Sequence, residues 1–273
     1  MRVDLHLHSR HSDGTLTPQA LVERAGRAGL SLMAVTDHNV LTGCLDLLSH
    51  PLPDGLTALS GIELDTVHAG LHMHLLGYGF DPYDPAMCAF AQETQYQLED
   101  MSVALVRALT RVDDRVSLSD YFAYQQDRGE GGWRALHYLR AQGVTASLAE
   151  GMALYGRYGI DYAGFPFPDA ARVCRRIHAG GGYVFLAHPG ETFSALGPSE
   201  LTELLDALRT AGLDGVECGY PKHSAEQIAF FSAYCQRHGL MMSAGSDCHG
   251  DFSGSPVGQT GLPCPLQLDR LLT

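Results

Sequence analysis

Short apolar runs and longer amphipathic stretches alternate along most of this chain. The first run, Val3-Asp4-Leu5-His6-Leu7-His8, alternates with a period of two and reads as a strand. Thr17-Pro18 follows as a helix N-cap and first-turn proline, with Leu21, Val22, Ala25 and Ala28 as an apolar stripe and Gly29 as the stop. Further strands are expected at 32–36, 58–64 and 71–77. From Pro85 to Ile160 the strand signals fade. Helical segments take over there: a long one ending near Arg111, one opening at Ser119-Asp120, and one from Trp133 to Gln142 stopped by Gly143. The alternation then returns, with helices at 168–179, 199–210 and 224–238 and strands at 183–187, 215–218 and 240–244. Repeated strand-helix units of this kind predict an α/β fold with a parallel sheet closed into a barrel or nearly so. The expected organisation is a barrel from 1–84 and 166–273 and an inserted helical subdomain over 85–165. In such barrels the site forms at the C-terminal strand ends.

The strand ends carry the chemistry. His6 and His8, two residues apart, share one face of the first strand, and two imidazoles aimed at one point suit a transition metal. Asp37-His38, Glu63, His74, His188 and Asp247-x-His249 end other predicted strands. One strand end with a histidine is common; repetition around a barrel rim is not.

Composition narrows the partners. The 273 residues are 45% hydrophobic and 18% charged, which suits a folded globular protein and excludes a disordered one. A formal net charge of −13 opposes broad attraction to nucleic acid or anionic membrane. No apolar stretch is long enough to span a bilayer and the N-terminus lacks a signal-peptide core, so a cytoplasmic protein is expected. Seven cysteines without a CxxC pair fit reduced thiols. Fourteen histidines are the stronger compositional clue.

In order, the strings His6-x-His8-Ser9, Ser12-Asp13-Gly14, Thr36-Asp37-His38, Gly61-x-Glu63, His74-x-x-Gly77, Ala187-His188-Pro189-Gly190 and Gly245-Ser246-Asp247-Cys248-His249 resemble the PHP family, the polymerase and histidinol phosphatase metallohydrolases. The resemblance implies a distorted seven-stranded (β/α) barrel holding two to three divalent ions. Carried over by position, His6, His8, Glu63 and Asp247 would ligate one ion, and Glu63 would bridge to a second held by His74 and His188. Asp13, His38 and His249 would form the third site. A bridging carboxylate suits a two-metal hydrolase, whose ions sit ~3.5–4 Å apart. The mixed His and carboxylate donors suit Mn, Zn or Fe. His72 lies on the same strand face as His74; the His-x-x-Gly spacing favours His74. Asp37 is expected to orient a ligand histidine.

Substrate contacts are expected from the rim. Arg10 follows His8 on the first loop, and the turn Gly129-Glu130-Gly131-Gly132 runs into a helix whose N–H groups, with Arg134 and His137, would grip an anion. Lys222, the only lysine, and His223 follow the strand at 215–218, with His223 a candidate proton donor to the leaving oxygen. His50, His68, His178 and His238 are read as structural, and His11 matches no pattern. The function expected is a metal-dependent phosphoesterase acting on a small phosphorylated metabolite, with no duplex nucleic acid as partner and no organic cofactor. Cyclic phosphodiesterase or exoribonuclease-like activity, and a non-catalytic PHP module, are the alternatives. Amide hydrolysis fits less well, because such barrels commonly bridge their metals with a mid-barrel lysine.

Overall fold

The computed structural model describes residues 1–272. Its strands form two sheets rather than one. β1 (Val3–Asp4), β2 (Leu32–Ala34) and β3 (Thr57–Leu59) make a three-stranded parallel sheet, joined through α1 (Pro18–Ala28) and α2 (Thr42–Ser49). β4 (Gly61–His68) and β5 (Leu71–Tyr78) open a five-stranded sheet. The chain then runs through α3 (Pro85–Leu109), α4 (Leu118–Ala123), α5 (Arg134–Ala141), α6 (Leu148–Arg157) and α7 (Ala170–Ala179). β6 (Tyr183–Leu186), α8 (Pro189–Thr192), α9 (Pro198–Ala211), β7 (Gly215–Gly219), α10 (Ala225–His238) and β8 (Met241–Ala244) complete the order.

Two features depart from the expected all-parallel arrangement. β5 pairs antiparallel with both β4 and β6; for β4 the cause is the two-residue turn Ala69-Gly70, with φ of 50° and 80°, which can only join antiparallel neighbours. The run expected as one strand over 58–64 also breaks at Ser60. Its hydroxyl donates to the Phe80 carbonyl at 2.6 Å, and a side chain at Gly61 would come within 2.6 Å of the Val35 carbonyl, so the backbone crosses closely from one sheet to the other there. β3 and β4 therefore belong to different sheets.

Isolated pairings stitch the sheets at two seams. Leu7 bridges to Cys248 in parallel, flanked by Leu5 N–H to the Ala244 carbonyl (3.0 Å) and His8 N–H to the Cys248 carbonyl (2.9 Å). At the other seam His38 bridges to Glu63, and Asn39 N–H donates to the Glu63 carbonyl at 2.8 Å. Between the sheets lies an apolar plug that includes Leu5, Leu32, Leu76, Phe185 and Met241. The helices cover the outer faces: α1 buries Leu21, Val22 and Ala25 against Leu7, Met33 and Val35.

Helix signals were legible where caps are strong. Thr17 accepts from Ala20 N–H, and Gly29 closes α1 in the left-handed conformation. Ser224 and Gln227 form a capping box on α10. Residues 85–165 are helical, as expected, and include α6, which was not foreseen. Here Leu105, Leu109, Tyr121, Tyr138 and Leu139 pack an apolar cluster of their own. Among the described residues no helix is long and apolar enough to cross a membrane.

Candidate metal centre

The extensions of β1, β2, β6 and β8 and the paired strands β4 and β5 bring all nine expected ligands together. Glu63, fully buried, lies at the centre. Its Oε2 is 3.1 Å from His6 Nε2, 3.1 Å from His8 Nε2 and 3.4 Å from His38 Nε2. Its Oε1 is 3.0 Å from His74 Nδ1 and 3.2 Å from His188 Nε2. Asp247 Oδ1 lies 3.3 Å from His8 Nε2 and 3.5 Å from both His6 Nε2 and His249 Nδ1. Asp13 faces His249 Nε2 at 3.3 Å and His8 Nδ1 at 3.6 Å.

This donor set fits divalent cations. Five imidazole nitrogens converge on the two oxygens of one buried carboxylate, and five protonated rings packed that closely would repel one another out of water. Both ring nitrogens of His8 and Nδ1 of His38 are buried with no hydrogen-bond partner. Unpartnered buried nitrogens are costly unless something else takes their lone pairs, and a cation does so. Candidate ligand atoms gather into groups within 4.8 Å: His8, Asp13, His38 and His249; His6, His8 and Asp247; His6, Glu63 and His188; and His38, Asp65 and His74.

The protein alone shows the same tension electrostatically. Burial opposes ionisation of Glu63, yet His6, His38 and His74 hold its carboxyl well below the usual range. Burial likewise opposes a charge on His8, but Asp247 and Glu63 outweigh it and lift the ring to about 10. For His38 burial prevails, reinforced by His8 and His74, and lowers it to about 4. Positive charge is thus drawn in unevenly, held on His8 and driven off His38.

Two carboxylates that the strand-end reading passed over hold the rings in place. Glu217 on β7, fully buried, faces His6 Nδ1 at 3.1 Å with Oε1 and accepts the His188 backbone N–H at 2.8 Å with Oε2. Asp65 Oδ1 faces His72 Nε2 at 2.9 Å and His74 Nε2 at 3.2 Å, while its Oδ2 accepts from the Asn39 amide at 2.6 Å. Of the two histidines on β5, His74 therefore turns Nδ1 toward Glu63, and His72 reaches Asp65 and stacks on Tyr162, ring centroids 3.4 Å apart. Each carboxylate left a trace in the sequence. Asp65 is two residues from Glu63 on one strand face, and Glu217 is the lone charge in a wholly apolar strand.

Other expectations need correction. Asp37 orients no histidine. It accepts from Ser9 N–H (2.7 Å), Ser9 Oγ (2.6 Å) and Ser12 Oγ (2.6 Å), so it shapes the loop that presents Asp13. His223 is buried with both nitrogens engaged: Nδ1 lies 3.0 Å from the Cys218 carbonyl, which fixes the proton there, and Nε2 accepts Gly190 N–H at 3.0 Å. Such a ring has no proton facing the site; it ties β7 to the turn after His188. His137 is buried too, Nε2 at 2.6 Å from the Gly131 carbonyl and Nδ1 near Glu130 and Arg140, so it braces the glycine turn. The turn itself spends Gly132 N–H on the Asp13 carbonyl at 2.8 Å rather than on an anion, and a side chain at Gly131 would strike Phe252 and that same carbonyl.

The remaining rim residues lie around open space. A cavity of about 370 Å³ is bordered by His38, Trp133, Glu99, Arg128 and Arg134. Arg134 sits in it ion-paired with Glu99 and lies 4.6 Å over the Tyr121 ring. Arg128, which the sequence reading did not single out, donates to the Ser12 carbonyl at 3.1 Å and also borders a second cavity of about 470 Å³ with Arg10 and His11. Lys222 is exposed and pairs with Glu191 at 2.5 Å. Glu191 in turn accepts from Tyr220, whose hydroxyl also reaches Asp247 Oδ2 at 3.1 Å.

The PHP domain profile matches residues 4–141, half of the chain, and takes in His6, His8, Asp13, His38, Glu63 and His74. The chain belongs to the PHP family. It is 27% identical over 267 residues to a 3',5'-nucleoside bisphosphate phosphatase of Chromobacterium violaceum, covering 94% of this chain and 91% of the relative. It is also 27% identical over 255 residues to a 5'-3' exoribonuclease of Haemophilus influenzae, covering 91% and 90%. A Bifidobacterium adolescentis structure described as a metal-dependent phosphoesterase superposes with a TM-score of 0.78 at 25% identity, covering 99% of this chain and 94% of that one. Motifs from the two ends of the chain meet at the first seam, where His6 and His8 beyond β1 face Asp247 and His249 beyond β8.

Proposed function

We propose that this PHP protein is a metal-dependent phosphoesterase that hydrolyses a small phosphorylated metabolite, with His6, His8, Asp13, His38, Glu63, His74, His188, Asp247 and His249 holding two to three divalent ions of Mn, Zn or Fe. The observation that carries this reading is the convergence of five imidazoles on buried Glu63 beside unpartnered nitrogens of His8 and His38. Bound ions in such a site acidify an attacking water and neutralise the charge that develops on phosphoryl oxygens.

The chain's own residues supply orientation and anion contacts. Glu217 and Asp65 fix the rings of His6 and His74, so lone pairs point at the centre rather than into the core. The Tyr220 hydroxyl, shared with Glu191, reaches the outer oxygen of Asp247. Arg134 and Arg128 face the cavity beside His38, where a guanidinium makes charge-assisted contacts to phosphate oxygens. Arg10, at the far side of Arg128, suits a second anionic group on the same substrate. The acidic chain offers no extended basic track for a duplex. The relatives, a nucleoside bisphosphate phosphatase and a 5'-3' exoribonuclease, support phosphate-ester hydrolysis on nucleotides and on RNA alike, and the helical residues 85–165, which line the cavity, are where the choice would be made.

The test is a screen of protein loaded with Mn(II) or Zn(II) against sugar phosphates, nucleoside monophosphates, nucleoside bisphosphates and short 5'-phosphorylated oligonucleotides. Turnover of the small esters that chelation abolishes is expected. Turnover indifferent to chelation would remove the metal assignment, and robust cleavage of long RNA with none of small esters would overturn the substrate class.

A further inference from the structure

Behind the phosphate-facing cavity lies a second, smaller and largely apolar chamber of about 190 Å³. Leu98 and Met101 of α3, Trp133, Met152 and Tyr155 of α6, and Tyr162 form its walls. Leu98, Ser102 and Trp133 border both spaces, so the chamber adjoins the cavity that reaches His38. One of its aromatic walls lies beside a candidate ligand and another beside a ring next to the centre. The Trp133 ring is 5.5 Å from that of His38, and Tyr162 stacks on His72, which is held by Asp65.

From this arrangement we infer that the chamber is a subsite for a planar aromatic heterocycle carried by the substrate, of the size of a nucleobase. The inference rests on the phosphoesterase reading and narrows it from phosphorylated metabolites in general to nucleotides. Size, shape and polarity all argue for it. Pockets for drug-sized ligands run from about 300 Å³ upward, so this one takes a single ring system and not a whole nucleotide. Its walls are flat aromatic side chains and flexible methionines, which favour a π-face. Its polar lining is small: Ser102 Oγ and the Tyr155 hydroxyl, 3.0 Å apart and bonded to each other, and Asp161. A base with ring nitrogens can bond to such groups while its faces lie on the aromatic walls; an aliphatic chain cannot do the first and a bare sugar cannot do the second.

Trp133 is the only tryptophan in the chain and borders both this chamber and the cavity beside His38, so quenching by adenosine is compared with that by inorganic phosphate, which has no ring to place in the chamber. The experiment titrates adenosine, without phosphate, into metal-free and Mn(II)-loaded protein while Trp133 emission is followed. It also compares kcat/KM for adenosine 5'-monophosphate and ribose 5-phosphate, which share the phosphate and sugar and differ only in the base. Saturable quenching by adenosine is expected, with a preference of roughly tenfold to a hundredfold for the base-bearing ester, the range carried by base–aromatic stacking, expressed chiefly in KM. Met152→Trp, which fills the chamber, should bring the ratio of the two kcat/KM values toward one. Equal turnover of both esters by the wild type, or no quenching by adenosine, would overturn the chamber while leaving the phosphoesterase reading intact. Quenching by adenosine with turnover of no ester in the screen above, bisphosphates and oligonucleotides included, would uphold the chamber and sink the phosphoesterase reading.

Discussion

Replacing Glu217 by Gln tests whether the rings around Glu63 are held for a cation or simply packed. The substitution changes no volume and leaves an acceptor for the His188 backbone N–H, now 2.8 Å from Oε2. It alters what His6 Nδ1 meets. In the wild type a carboxylate oxygen 3.1 Å away keeps the proton on Nδ1 and leaves Nε2, directed at Glu63 and Asp247, free to act as a lone-pair donor. With the amide oxygen retained by His188, the Gln NH2 faces Nδ1 and donates to it. The ring proton is then forced to Nε2, where it blocks the very atom that would bind.

Losing an orienting partner of this kind typically costs 10–100-fold in metal affinity, or about 1.4–2.7 kcal/mol. The assay is competition with a chelator of known affinity, read as bound metal per chain, on protein whose circular dichroism matches the wild type. Because Glu217 borders none of the three cavities, KM for substrate should move little in metal-saturated enzyme. Wild-type metal affinity in Glu217→Gln would refute the argument that His6 donates through Nε2.

Three further outcomes are expected. Glu63→Gln should lower both metal content and rate, since an amide bridges cations poorly; retention of wild-type metal stoichiometry would move the shared ligand elsewhere. His223→Asn should cost about 1–3 kcal/mol in stability, as Gly190 N–H or the Cys218 carbonyl loses its partner, and should slow a natural monoester and p-nitrophenyl phosphate to the same degree. A loss confined to the natural ester would reinstate His223 as a proton donor. In metal-free protein His8 is lifted to about 10 against ~6.5 in the unfolded chain, so the stability it contributes is complete below about pH 6.5 and disappears as the pH rises toward 10. Calorimetric metal titrations at pH 7 in buffers of different ionisation enthalpy should then show proton release on binding, and none at all would mean the ring is already neutral.

How far the sequence could be read depended on which interactions are local. His6-x-His8 is legible because a strand's period of two is local, and the caps Thr17 and Ser224 mark their helices for the same reason. The direction of β5 was decided by Ala69-Gly70, a turn too short for a crossover, yet alanine carries no strong turn signal, so the antiparallel hairpin was missed. His223 illustrates the opposite limit. Its place on a catalytic rim suggested chemistry, but its role is set by Gly190 and Cys218, contacts that no spacing along the chain discloses. Glu217 was overlooked because it ends no strand motif, although a charge inside Gly215–Gly219 required a partner once that strand was taken as buried.

The placement of the centre at the sheet seams links binding to the integrity of the fold. Both seams run through candidate ligands, Leu7 to Cys248 beside His8 and Asp247, and His38 to Glu63. Three of the non-glycine residues with positive φ, Asn39, His188 and Asp247, sit at these strand ends, and residues held in that region commonly cost about 1–3 kcal/mol each. Such strain persists only where neighbours over-determine it, as Glu217 does at the His188 N–H and Asp65 at Asn39. In metal-free protein the same strand ends also crowd charged imidazoles and carboxylates out of water. A cation that binds only the folded arrangement stabilises both seams at once, by about RT ln(1 + [L]/Kd). Thermal stability should therefore climb with the logarithm of metal concentration well beyond stoichiometric loading, as mass action requires of a ligand that binds only the folded chain, and a Tm indifferent to metal would mean that the strand ends close without a cation.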